Sequence, residues 1–243
     1  MQIIKLNATD STNLYLKDLM NSNSLNDYTL VVAHEQTMGR GQMGAKWESE
    51  PGKNLTFSVL RKFESPLIPN PFILNICVSL AVFKMLKKMH IPDLRVKWPN
   101  DILSGNYKIC GILIENILSG NRLLSSIIGI GLNVNQMEFN NLPNVSSMKL
   151  LLGKTVDLEK LLESFQIELM QVFLKFEEVG ADIMQKEYEK VLFRKDKPST
   201  FKDTEGTMFM GFIRGITDDG RLKVSLEDEV LKKFNMKEIE LLY

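Results

Sequence analysis

The chain has 243 residues, 44% of them hydrophobic and 25% charged, which is enough for one sizeable domain plus a small one and too apolar for a disordered polymer. Thirty Lys and Arg balance thirty Asp and Glu, so no surplus of positive charge draws the chain onto a nucleic acid. The opening residues, MQIIKLNATDSTN, lack a basic start followed by a long apolar run, and no stretch reaches the ~20 apolar residues of a bilayer span, so a cytoplasmic protein with no membrane contact is expected. Cys77 and Cys110 stand far apart with no Cys or His at metal-ligand spacing, and they read as buried, reduced thiols.

Along the chain, Ile3 to Leu6 reads as a short strand, and Asp10-Ser11-Thr12 supplies cap residues for a helix over Asn13 to Met20. Tyr28 to Ala33 and Leu55 to Leu60 are β-branched, apolar runs that predict two strands around a glycine- and charge-rich loop of roughly twenty residues, long enough to suggest function or disorder. Pro71 to Met89 is apolar almost all round before Lys87-Lys88, as a central buried helix would be. Leu94 to Trp98, Lys108 to Ile117 and Leu123 to Val134 read as three more strands of one sheet, the last two joined at Ser119-Gly120-Asn121. Asp157 to Phe176 and Ala181 to Phe193 have helical periodicity, and Lys197-Pro198 marks a break, which divides the chain into residues 1–197 and 198–243. Beyond it, short strands around Thr204-Glu205-Gly206 and Asp218-Asp219-Gly220 predict a small barrel.

Three stretches carry chemistry. Gly39-Arg40-Gly41-Gln42-Met43-Gly44 satisfies G-x-G-x-x-G after a strand, but a dinucleotide site needs a helix beginning inside the glycines, and Ala45 to Gly52 reads as more loop. The glycines still let the backbone approach a ligand, and Arg40 offers a planar fork for a carboxylate or phosphate; a flexible surface loop with one solvated arginine has the same spacing. Trp47 beside it either walls off an apolar ligand or simply packs. In Leu94-Arg95-Val96-Lys97-Trp98, alternation sets Lys97 and Arg95 opposite Val96 and Trp98, and Pro99-Asn100-Asp101 ends the strand. Such a lysine can face a developing anion, although a single strand lysine is more often solvated. Gly129 and Gly131 weaken an otherwise good strand, as a bulge against a helix or a ligand pressing on the backbone would require.

Taken in order, Ser11-Thr12-Asn13, Gln36, the Gly39 to Trp47 loop, Lys97-Trp98-Pro99-Asn100-Asp101, Lys108 with Gly111-Ile112-Leu113, and Gly129-Ile130-Gly131-Leu132-Asn133 resemble the biotin-protein ligase family. The resemblance spans roughly residues 9 to 135 and implies an α+β fold, a mixed sheet packed with helices in the manner of class II synthetases, followed by a C-terminal SH3-like barrel. It implies two half-reactions: biotin and ATP form biotinyl-5′-AMP with Mg²⁺ assisting pyrophosphate departure, and a lysine of a biotin carboxyl carrier protein, or of a carboxylase's biotinyl domain, then takes the biotin and releases AMP.

By the same resemblance Ser11, Thr12, Asn13 and Gln36 would meet biotin's ureido head, while Trp47 and the Gly111-Ile112-Leu113 backbone would line its tail. Gly39, Arg40, Gly41 and Gln42 would wrap the ligand, with Arg40 at the carboxylate and phosphate, and Lys97 would stabilise the reacting centre. Gln42, Asn100, Lys108 and Asn133 join Arg40 and Lys97 as expected adenylate contacts, and Asp101 is the one side chain put forward for the metal, which is otherwise expected on the ATP phosphates. His34 and His90 have no part in such chemistry.

Gln42 and Met43 stand where the family often has arginines, which implies a looser grip on the adenylate, and Leu242-Tyr243 lacks the basic residue some members carry there. A lipoate- or octanoate-protein ligase or transferase shares the implied fold but fits the polar set Ser11, Thr12 and Gln36 less well, since buried polar groups left unpaired cost ~1–3 kcal/mol each. A non-catalytic biotin-binding protein is the other alternative. With Ser11-Thr12-Asn13 so near the first residue, no N-terminal DNA-binding domain and no nucleic-acid partner are expected; the chain could be a monomer or a homodimer.

Overall fold

The central sheet owes its two unlike faces to strand alternation. The computed structural model of the chain describes residues 2–63, 70–120, 122–139, 142–227 and 230–243. Its first part runs β1 (Ile3–Thr9), α1 (Thr12–Ser22), β2 (Leu30–Gln36), β3 (Leu55–Lys62), α2 (Phe72–Lys88), β4 (Leu94–Lys97), β5 (Asp101–Ser104), β6 (Tyr107–Ser119), β7 (Arg122–Leu132), α3 (Met148–Leu152) and α4 (Leu158–Lys190). The seven strands form one sheet in the order β1-β2-β3-β7-β6-β5-β4, parallel between β1 and β2 and antiparallel elsewhere. This is the mixed sheet with helices that was expected.

The predicted strands and helices form, with shifted ends. Pro99-Asn100-Asp101 ends β4 as expected, but the chain reverses there and pairs again: Lys97 of β4 lies opposite Asp101 of the short strand β5, which was not expected. Of the expected turn between β6 and β7, Asn121 lies outside the described residues. Ser11 is the residue before α1, yet its hydroxyl does not cap the helix, and the Asp10 carboxylate instead accepts from the Thr37 hydroxyl at 2.7 Å. Asp157 does cap α4, accepting from the amides of Glu159 and Lys160, and a left-handed Gly180 (φ 75°) interrupts α4 between its two expected halves.

One face of the sheet is apolar. Phe57, Val59, Ile112, Ile128 and Ile130 are buried there and belong to a single cluster with α2 and α4, and every residue of α2 from Phe72 to Val82 is buried. Phe57 meets Phe165 of α4 edge-on at 4.9 Å. Cys77 and Cys110 are buried and unbridged, and burial raises both thiols well above the usual range.

The chain then enters a second sheet of β8 (Pro198–Asp203), β9 (Met208–Ile216), β10 (Leu222–Leu226), β11 (Leu231–Phe234) and β12 (Ile239–Leu242), in the order β11-β10-β9-β8-β12. It is antiparallel and SH3-like in kind, but it is not the closed barrel expected: β11 and β12 are edges, each four residues long and carrying Lys232, Lys233 or Glu240, features that discourage further pairing. Its Phe201, Ile213, Leu222 and Val224 join the main core. Gln185 and Glu189 of α4 hold both backbone groups of Ile216 at 2.9 Å, and the Trp98 indole donates to the Gly220 carbonyl at 2.8 Å.

Candidate active site

The other face of the sheet packs Val31, Leu60 and Ile127 against Leu16 of α1, and beside that patch it is built largely from small and polar residues. Register sets Ala33, Thr56, Gly131, Gly111, Asp101 and Lys97 in one row across six strands, and Val31, Ser58, Gly129 and Leu113 in the next. Neither glycine of β7 sits at a bulge; side chains press on both. A Cβ on Gly131 would lie 2.2 Å from the Trp47 ring, and one on Gly129 would lie 2.4 Å from Asn13 Oδ1. Gly111 and Gly131 are direct partners, so together they form a shelf on which the Trp47 indole rests. The indole nitrogen is buried without a hydrogen-bond partner.

The glycine-rich loop is a small hairpin. Trp47 N–H donates to Gly39 O at 3.0 Å, Gly41 N–H to Ala45 O at 2.7 Å, and Arg40 bridges Lys46. A Cβ on Gly39 would stand 2.2 Å from Trp47 O, which explains that glycine by the close approach of its own hairpin partner. Residues 42–44 make a single 3-10 turn with Met43 left-handed (φ 51°), and no helix follows. The dinucleotide reading is thereby excluded on geometry.

Between hairpin, shelf and α1 lies a cavity of about 170 Å³. Ser11, Thr12, Asn13 and Gln36 line it on the β3 side, and Asn100, Asp101 and Lys108 on the β5 side. Arg40, Gly41, Gln42 and Trp47 border it from the hairpin, and Gly111, Ile112 and Leu113 from the sheet. Three residues singled out from the sequence are not in its lining. Gly39 faces an adjoining cleft beneath the hairpin, Lys97 a cleft between the two sheets that it shares with Gln42, and Asn133 is buried, its amide donating to Ser146 O at 3.1 Å.

Charge concentrates on the β5 side. Lys108 Nζ lies 2.7 Å from Asp101 and 5.7 Å from the centre of the Trp47 ring. Lys97 Nζ lies 4.7 Å from the centre of the Tyr243 ring. Burial lowers the Lys97 pKa and the Lys108 charge lowers it further, against the pull of Asp101. The β3 side is uncharged: Thr12 N–H and hydroxyl lie 2.8 and 3.1 Å from Gln36 Oε1. Ser58, absent from the sequence reading, lies behind them, fully buried. Ser58 signals nothing locally; only the strand register brings it there.

Among the described residues no group of three or more His, Cys, Asp or Glu is placed to hold a metal. Asp101 is the one acidic side chain in the cavity lining and it is paired with Lys108, so the donor set does not fit a resident metal cage. No helix among the described residues is long and apolar enough to cross a membrane.

Comparison with known proteins accounts for this arrangement. The model of the Biotin/lipoate A/B protein ligase family matches residues 6–133. The Bifunctional ligase/repressor BirA of Bacillus subtilis is 30% identical over 244 residues, covering 98% of this chain and 74% of that protein. The Biotin--[acetyl-CoA-carboxylase] ligase of Paracoccus denitrificans is 34% identical over 131 residues, 53% of each chain. Among solved structures, the biotin protein ligase from Aquifex aeolicus in complex with biotin and ATP superposes with a TM-score of 0.82 at 26% identity, covering 99% of this chain and 98% of that one. The chain therefore belongs to the biotin protein ligases of the biotin/lipoate A/B protein ligase family.

Proposed function

We propose that this protein is an ATP-dependent biotin protein ligase that makes biotinyl-5′-AMP and passes the biotin to a lysine of a biotin carboxyl carrier protein. The observation that carries the reading is the polarity of one cavity: uncharged hydrogen-bonding groups on the β3 side, cations on the β5 side, and a glycine shelf under an indole between them. A ligand with a polar, neutral head, an apolar tail and a terminal carboxylate matches that sequence of surfaces. Ser11, Thr12, Asn13 and Gln36 take the head; Trp47, Gly111, Ile112 and Leu113 flank the tail; Arg40 reaches the carboxylate.

In the first step the carboxylate oxygen attacks the α-phosphorus of ATP, and the bond to the bridging oxygen breaks as pyrophosphate leaves. Charge builds on the phosphoryl oxygens, and fixed cations serve this better than a strong base. Arg40, Lys108 and Lys97 supply them, with Gln42 and Asn100 at the rim of the same space and Asn133 behind it. The divalent ion arrives with the nucleotide. In the second step the carrier lysine amine adds to the acyl carbon and AMP departs with the electron pair of the acyl-phosphate bond. Residues 1–197 are assigned to this chemistry, and 198–243 to closing the side on which Lys97 lies.

Exchange of label between pyrophosphate and ATP, with biotin, lipoate or octanoate in turn, tests the first step alone. Biotin-dependent exchange is expected, falling about 10²-fold in Lys97→Ala, the scale of one lost transition-state donor. Exchange with lipoate or octanoate instead would reassign the substrate, and no exchange with any acid would reduce the protein to a binding role.

A further inference from the structure

Behind the polar side of the cavity runs a hydrogen-bond chain that ends on a carboxylate. Asn13 Nδ2 donates to Glu115 Oε2 at 2.7 Å and to Leu113 O at 3.4 Å. Both neighbours on that side are acceptors, so the amide has one sensible orientation, with Oδ1 turned to Ser58 at 2.6 Å. An amide oxygen only accepts, so the Ser58 hydroxyl commits its proton to Asn13. One hydroxyl proton cannot serve both neighbours, so Ser58 Oγ has only lone pairs left for Thr12 Oγ1, 2.7 Å away; of the two oxygens within reach of the Thr12 hydroxyl, Ser58 Oγ at 2.7 Å and Gln36 Oε1 at 3.1 Å, the nearer takes its proton. Gln36 Oε1 stays held by the Thr12 backbone N–H at 2.8 Å.

Asn13, Ser58 and Thr12 are all buried, so each leans on its neighbours for partners and the direction of each bond fixes the next. Thr12 therefore turns lone pairs, not a proton, toward the cavity. Glu115 touches no part of that cavity; it lies on β6 two residues beyond Leu113, at the edge of the cleft under the hairpin. Gly129 makes the room in which the Asn13 amide lies between the two strands.

We infer that Glu115 is a positioning residue that sets the hydrogen-bond polarity of the head-binding end, making Thr12 an acceptor for an N–H of the ligand head. The inference rests on the reading of this cavity as the biotin site. It assigns part of the specificity for a cyclic urea, which carries such N–H groups, to a residue outside the pocket.

The test is titration of the full-length protein with biotin, together with the exchange assay, for Glu115→Gln, Glu115→Lys, Ser58→Ala and the Ser58→Ala/Glu115→Lys pair. Glutamine can still present a carbonyl oxygen to Asn13 and should bind biotin within about twofold of the parent. Lysine offers only donors, reverses the amide and turns Thr12 toward donation, so biotin binding should weaken about tenfold, the scale of one hydrogen bond to a polar partner. The KM for ATP and kcat at saturating biotin should stay within about twofold of the parent. With the relay already cut in Ser58→Ala, adding Glu115→Lys should weaken binding little further, a non-additivity that general loosening of the fold does not produce. Unchanged biotin affinity in Glu115→Lys, a loss in kcat instead, or additive effects in the pair would overturn the inference. If Glu115→Lys does not fold, Ser58→Ala and Glu115→Gln decide it: loss in the first with retention in the second supports the relay, and any other pattern rejects it. Failure of the unaltered protein to bind biotin would reject the underlying reading instead.

Discussion

The two faces of the central sheet are made by the same strands and serve opposite ends. On one, Phe57, Ile112, Ile128 and Ile130 bury against α2 and α4; on the other, Thr56, Ser58, Gly111, Gly129 and Gly131 leave the backbone bare or present hydroxyls. Burial on the first face supplies the stability from which the second is held open. Residues 128 to 132 show the alternation one residue at a time: Ile128, Ile130 and Leu132 anchor the sheet, and Gly129 and Gly131 between them shape the cavity.

The sharpest way to break the comparison is to damage the packed face alone. Phe165→Ala should lower unfolding free energy by about 3–5 kcal/mol in denaturant titrations while biotin affinity, measured well below the melting transition, stays near that of the parent. The reciprocal change is Gly131→Ala, whose Cβ would strike the Trp47 ring. It should cost about 1–3 kcal/mol of overpacking and also weaken biotin binding in calorimetry, whereas equal affinity would mean that the indole has room to move aside.

A third test uses charge. The Lys97 pKa is lowered by burial, so its ammonium is lost at lower pH than in a free lysine; if its positive charge serves adenylation, kcat/KM should fall as pH rises through that lowered value. Lys97→Arg keeps its charge and should move the alkaline limb upward; a limb that stays in place would belong to another group. The smallest effect is expected at Gln42, which borders both the main cavity and the Lys97 cleft. Gln42→Arg should slow release of free biotinyl-adenylate about fivefold, the scale of one exposed ion pair, as followed by filtration after a single turnover.

What could be read from the sequence was whatever is periodic or locally punctuated. The apolar run of α2, the alternation around Lys97, the glycines of the hairpin and the interruption near Gly180 are such signals. β5 escaped because four residues beginning with Asp and ending with Ser carry too little alternation to count. Ser58 and Glu115 escaped for a different reason: their importance comes from register across strands and from contact with Asn13, 45 and 102 residues away in the chain. The small barrel, expected both from the strand and turn pattern and from the family, forms as an SH3-like sheet that the short, charged strands β11 and β12 leave open. Lys97, chosen for its strand position, does face the functional side of the sheet, but it belongs to the neighbouring cleft.

The two tryptophans of the chain stand in two different places: Trp47 on the glycine shelf, with its nitrogen buried and unpaired, and Trp98 at the junction of the sheets, with its nitrogen bonded to Gly220. Their emission is thus separable by design. In a Trp98→Phe protein, fluorescence reports the arrival of a ligand under the hairpin; in a Trp47→Phe protein, it reports whether the C-terminal sheet stays seated. The chain carries its own pair of optical probes, one for the cavity and one for the joint that closes its side.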